Sequence, residues 1–325
     1  MTLLLKVAMT IHRLLPRALL SLLLALALPP RSVLAVQLSV PLETKAIIDK
    51  IYAFDLDGAI SDAHLMQQSL PEHPIGFLLE SEALWWKIWC RSAEFKYGMI
   101  DARRRQKLDV DLLFSQSTAR ALALAEAHLK QQETAAMHLY AGLAEADAAR
   151  LLGLRGEYRN TARAAVRGRE HLLRAKALDP DLIDADTGLG LYNYYVDTLS
   201  ALARILRFFM GIPGGSKQEG VRLLEKAIDH GVLTPELARF YLALNLHRYD
   251  LHYEEALFLL TPLSEKYPSN PLFQMARGDL LAKLGRRDQA LNCYRTAQAL
   301  LVADPQCGDH LSELIRSSIQ ALSPH

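Results

Sequence analysis

The sequence predicts an all-α chain of stacked helix pairs, and three observations carry that prediction. Small residues recur ahead of larger apolar ones at helical spacing. Ala256, Leu260 and Leu263 form one set, and Ala290, 34 residues further on, opens another with Tyr294 and Ala297. Gly168, Leu172 and Ala175 repeat the spacing, as do Gly220, Leu224 and Ala227, and Ala59, Ala63 and Met66. Positions i, i+4 and i+7 share one helix face, so each set is a stripe aimed at a neighbouring helix. Second, Pro71, Pro180 and Pro268 each stand 12 residues after the first member of their stripe, although Val232 takes that place after Gly220. A proline ring cannot continue the i→i−4 ladder, so it stops the helix. Third, the stretch Asp111–Leu182 holds a single Val or Ile, Val166, among Leu, Ala, Arg and Glu. That is helix composition, whereas a parallel sheet needs Val- and Ile-rich runs.

Taken in order, the chain begins with a basic flank (Lys6, Arg13, Arg17), the apolar core Ala18–Leu28, Pro29-Pro30 and the small-residue pattern Val33-Leu34-Ala35. This describes a cleavable secretory leader over 1–35, with an uncleaved anchor reaching back to Leu14 as the alternative. The core is shorter than the roughly 20 apolar residues that span a bilayer. A short linker, 36–43, leads into a helical domain over 44–325. Apolar periodicity and stop signals place helix pairs at 44–53 with 57–69, 75–97 with 108–131, 132–153 with 156–178, and 183–207 with 216–230. Two more follow at 235–248 with 253–267 and 270–284 with 287–302. Thr234 and Pro235 are read as N-cap and first-turn residue of the fifth pair. A helix at 307–321 covers the last apolar face, as a stacked array needs.

The stripes and their terminal prolines resemble the tetratricopeptide (TPR) repeat family, whose unit is a helix-turn-helix of 34 residues. Gly278, Ala290, Ala256, Pro268, Ala59 and Pro71 match its small-residue and stop positions. The resemblance implies a right-handed α-solenoid of about six helix pairs plus a capping helix. It implies that the first helix of each pair lines a concave groove, and it assigns Thr187, Tyr194, Tyr241, Asn245, Arg248, Met275 and Asp279 to that groove. Asn and Arg there suit a peptide backbone or carboxylate, and Tyr supplies rigid contact area. The family's basic carboxylate clamp is incomplete, because Asp279 stands where a Lys or Arg is needed. Gly188–Tyr195 and Arg204–Ala227 resemble a narrower branch, the tetratricopeptide 39 and inclusion-body-clearance group, and that likeness implies architecture only.

Several motifs point elsewhere and are set against their plainer readings. Asp55-x-Asp57-Gly58 after an apolar run resembles the first motif of haloacid-dehalogenase phosphatases, but the strands and the later acidic pair of that family are missing. In the repeat register both aspartates fall at a helix start, where acids suit the dipole. Gly188-Leu-Gly190 follows no strand and reads as close helix packing. Gly211–Ser216 lacks the Gly-Lys-Ser/Thr of a phosphate loop and reads as a turn. His247 and His252 straddle a turn and do not share a helix face, so no metal site is expected. Trp85, Trp86 and Trp89, with Phe77 and Phe95, read as core packing, with a ligand platform as the alternative.

With 37 basic and 36 acidic residues the chain has no electrostatic footprint for nucleic acid. Its three cysteines lack CxxC spacing. In an oxidising compartment a Cys293–Cys307 bridge is one pairing; otherwise all three are buried apolar groups. The expected function is a non-catalytic exported scaffold, in the cell envelope and periplasmic, that holds a protein or peptide partner in its groove. No cofactor, metal or small-molecule substrate is expected. The alternative is a membrane-surface adaptor using the apolar segment 200–211.

Overall fold

A computed structural model describes residues 38–200, 203–204, 207, 211–303 and 307–323. The leader-like stretch and most of segment 200–211 therefore lie outside the described residues. The first pair is α1 (Thr44–Tyr52) and α2 (Leu56–Ser69), and the second α3 (Ile75–Arg91) and α4 (Val110–Gln131). Next come α5 (Ala135–Leu154) with α6 (Tyr158–Leu178), and α7 (Asp184–Asp197) with α8 (Lys217–His230). The last pairs are α9 (Pro235–Asn245) with α10 (Tyr253–Lys266) and α11 (Pro271–Lys283) with α12 (Arg287–Ala303), followed by α13 (Gly308–Leu322). Each helix packs on the next along the chain, giving an all-α helical-repeat solenoid.

The stripes do what their spacing predicts. Ala59, Ala63, Leu172, Ala175, Leu224, Ala227, Ala256, Leu260, Ala290 and Ala297 are all buried. Where α7 crosses α8, Gly190 and Gly220 face each other. A Cβ on Gly220 would lie 2.8 Å from the Gly190 carbonyl oxygen, so neither position accepts a side chain. Asp55 caps α2 by accepting the Gly58 N–H at 3.1 Å, and Asp57 pairs with Lys87. Both aspartates thus serve the helix end.

Three details depart from expectation. The helix expected to run to residue 97 stops at Arg91, and a two-stranded hairpin follows: β1 (Ala93–Lys96) and β2 (Met99–Ala102). Its turn residues Tyr97 and Gly98 both have positive φ, 56° and 76°, which fits the right-handed twist of a tight hairpin. The helix expected over 183–207 ends at Asp197. That expected over 235–248 gives way at Asn245 to a π-helical turn, Leu246–Asp250. Thr234 is the N-cap residue of α9 and Pro235 stands in its first turn, as expected, although the Thr234 side chain makes no capping bond. Buried Asp184 instead holds the loop that leads into α9, accepting the N–H groups of Leu233 at 2.7 Å and of Val232 and Thr234 at 3.0 Å.

The cysteine pairing is also corrected. Cys90 bonds Cys307, across 217 residues of sequence, while Cys293 is free and buried. The bridge is possible because the array curls until its first helices meet its last. Trp86 packs against Phe240 at 5.0 Å and Phe273 at 5.6 Å. The Tyr267 hydroxyl donates to Asp49 at 2.7 Å, and the Asn270 side-chain amide donates to the Tyr52 carbonyl at 2.9 Å. Burial of an indole of this kind is worth about 3–5 kcal/mol against alanine. The tryptophans are core.

Candidate functional site

Two regions bear on binding. The first is the surface that the repeat register assigns to a groove. Stacked helical hairpins create such concave binding surfaces, but here the chain fills its own. The indole N–H of Trp85 donates to the Tyr241 hydroxyl at 3.0 Å. Arg248 pairs with Asp101 of β2, which also holds Arg103 at 2.6 Å. Burial weakens the Arg248 cation, yet Asp101 and two tyrosines outweigh that and leave its pKa raised. Asp279 accepts the Ile100 N–H at 2.7 Å and the Tyr294 hydroxyl at 2.7 Å. Burial pushes its carboxyl up to about 7, against the opposing pull of those two donors.

The remaining predicted groove residues are enclosed as well. Met275 is buried, and so is Asn245, whose amide oxygen and nitrogen both lack a hydrogen-bond partner among the described residues. Tyr194 is buried and donates to Asp250. Thr187 is buried and shares a hydrogen bond with Thr234 at 2.7 Å. The seven residues therefore hold the chain's own parts, and a partner reaches Arg248 or Asp279 only if the hairpin leaves. His247 is buried beside Tyr253, and burial with neighbouring Lys283 and Arg248 lowers its pKa to about 4. His252 contacts Glu255 instead. Among the described residues no group of three or more His, Cys, Asp or Glu is placed to hold a metal.

The second region is a trough of about 560 Å³ on the faces of α5, α6 and α7. That volume falls in the range of roughly 300–1,000 Å³ typical of ligand pockets. It exists because small residues stand where large ones would fill it: Ala146 and Ala149 from α5, and Ala162 and Ala165 from α6. Leu191, Val196 and Leu199 complete an apolar wall. Thr187 is the one predicted residue that reaches it.

Three arginines line the trough. Arg150 is committed, bonding Glu82 at 2.6 Å and Asp147 at 2.5 Å while stacking on Trp85. Burial raises the Asp147 pKa, with Arg150 working against it and Glu82 adding to the rise. Arg169 lies over the Tyr192 ring at 5.3 Å. Arg207 and the Tyr192 hydroxyl both donate to the Pro213 carbonyl, at 3.0 Å and 2.9 Å. Repeat counting misses these residues because it ranks positions facing the concave side. The available signal was the alanine-rich face of 146–165, which reads as ordinary helix propensity.

No family model matches the chain, and no curated protein matches it either. Among solved structures, the C-terminal part of a TPR repeat-containing protein from Cytophaga hutchinsonii shares 12% identity, covering 87% of this chain and 96% of that one. Its TM-score is 0.36, too low to carry an argument, so the fold stands on the helix order and the buried stripes. The comparisons give no support to the narrower tetratricopeptide 39 likeness.

Proposed function

We propose that this chain is a non-catalytic, exported binding protein of the cell envelope that holds an elongated apolar guest in the α5–α7 trough. The trough itself carries the reading: a ligand-sized concavity walled by carbon, bordered by a few polar groups. Export is supported by the leader-like N-terminus and by the Cys90–Cys307 bridge, since such bonds persist in oxidising compartments. The test is titration with a neutral apolar fluorophore. Saturable binding is expected for the wild type and its loss for Ala165→Phe, which fills the trough. Equal binding by both proteins would remove the trough from consideration.

A second reading retains the protein or peptide partner, and the hairpin favours it. β2 lies in the register-assigned groove as a peptide would, with its Ile100 N–H on Asp279 and Asp101 on Arg248. A partner strand would enter by replacing it. Capture of an extended peptide that strengthens when Asp101→Ala loosens the hairpin supports this reading, and no change with that variant opposes it. The membrane-surface alternative through 200–211 is tested by liposome flotation of the Arg204→Glu variant against the wild type; equal recovery in the soluble fraction rejects it.

A further inference from the structure

Away from both regions, two imidazoles meet where α5 packs on α6. The Nδ1 atoms of His138 and His171 stand 3.0 Å apart, with ring centroids 5.2 Å apart and planes inclined by 42°. We propose that this pair binds a divalent transition-metal ion, copper(II) by its geometry, with both Nδ1 atoms as ligands and water completing the coordination. The site is independent of the trough and of the filled groove.

Local sequence places the two rings. Gly142 follows His138 by four residues on α5, and Gly168 precedes His171 by three on α6, so each histidine shares a helix face with a glycine. A Cβ on either glycine would lie 3.2 Å from the carbonyl oxygen of the other, so the two backbones approach closely there. That approach carries His138 and His171 into contact. Both rings remain partly exposed, which gives an ion a way in. Metal-bound imidazole commonly gives its second ring N–H to a carboxylate, which fixes the tautomer. His138 Nε2 lies 3.0 Å from Glu133 Oε1. The bidentate Arg174 contact holds Glu133 ionised, its carboxyl lowered to about 2. The His138 proton therefore sits on Nε2, and Nδ1 is left with a lone pair. Burial, with His138 beside it, lowers the His171 pKa, so that ring is neutral at pH 7. Without metal His171 donates its Nδ1 proton to His138; with metal that proton passes through solvent to Nε2.

The choice of metal follows from distance and ligand type. Two imidazole bonds of about 2.0–2.1 Å meeting at a right angle span about 3 Å, whereas a tetrahedral pair spans about 3.4 Å. The observed 3.0 Å fits neighbouring positions of a tetragonal ion, and copper(II) holds nitrogen donors most strongly among the divalent ions of its row. Rotation about the soft histidine χ2 turns both lone pairs toward one ion. Charge agrees. Glu145 is spent on Arg167 and Glu133 on Arg174, while Glu126 and Glu170 bring further negative charge toward His171.

The experiment titrates the full-length protein with copper(II) chloride against glycine as a competing chelator, read by calorimetry and electron paramagnetic resonance. One equivalent is expected to bind with a spectrum showing two nitrogen donors. His138→Gln and His171→Gln are each expected to abolish that two-nitrogen signal while keeping helix content by circular dichroism. Glu133→Gln keeps both ligands and is expected to weaken binding about tenfold. His64→Gln, an exposed histidine paired with Glu80, is expected to change nothing. Equal binding by the wild type and the His138→Gln/His171→Gln double variant would overturn the site. A wild-type spectrum without a second nitrogen would overturn it too, whatever the variants do.

Discussion

The C-terminal groove and the middle trough are made from the same material, small residues on packed helical hairpins, and they end in opposite states. In the groove the chain supplies its own filling: Trp85, Trp86 and Trp89 from α3, then the hairpin, clasped by Cys90–Cys307. In the trough Ala146, Ala149, Ala162 and Ala165 leave the space unfilled. The difference teaches that a repeat register shows where a concave surface forms without showing whether it is free. Occupancy is decided by residues far away in sequence.

That contrast makes graded predictions. Trp86→Ala should cost the most, about 3–5 kcal/mol of unfolding free energy, because the indole sits among Tyr52, Trp89, Phe240 and Phe273. A urea midpoint unchanged within error would mean the groove is not packed as described. Cys90→Ser with Cys307→Ser should lower stability by about 2–4 kcal/mol, in line with a long closed loop; a reductant titration of the wild type should reproduce the loss. Arg248→Gln should cost about 2 kcal/mol, reduced by the Arg103 contact that Asp101 keeps, as read from thermal midpoints.

The pH dependence sharpens the same point. The Asp279 carboxyl, raised to about 7 from 3.8, keeps its proton in the folded state after the unfolded chain has released it. Its contribution is therefore full below the unfolded value, falls as pH rises toward 7, and is flat above that. His247 runs the other way: lowered from 6.5 to about 4, it removes stability as pH falls across that interval. Asp279→Asn should remove the falling part that Asp279 contributes, read as the difference between variant and wild-type urea midpoints across that range. The smallest effect belongs to the trough. Ala165→Leu should alter stability by less than about 1 kcal/mol, where the same growth inside a packed core costs about 1–3 kcal/mol. A drop of core size on chemical denaturation would show that the space is already taken.

Much of the fold was legible in the sequence, and for physical reasons. Gly220, Leu224 and Ala227, or Ala256, Leu260 and Leu263, form their stripes through local spacing, and helix ends follow from Asp55 or Asn270 within one turn. What was not legible depends on distant contacts. The hairpin has a local cue, alternation around Tyr97-Gly98, but helix-forming neighbours masked it. Asp184 holding the 232–234 loop is a contact between neighbouring pairs, and Cys90 choosing Cys307 over free Cys293 is a consequence of the curl. The groove residues Tyr241, Asn245, Met275 and Asp279 were placed on helices correctly as a matter of register, yet their burial could be known only once α3 and the hairpin were seen beside them.

One labelling experiment addresses the contrast directly. Single cysteines are introduced at Ala165 in the trough and at Met275 in the groove, and each folded protein is exposed to an apolar thiol reagent. Rapid modification of Ala165→Cys and protection of Met275→Cys until unfolding is the predicted result. Fast modification at Met275→Cys with protection at Ala165→Cys would reverse the assignment of filled and open surfaces and contradict the account.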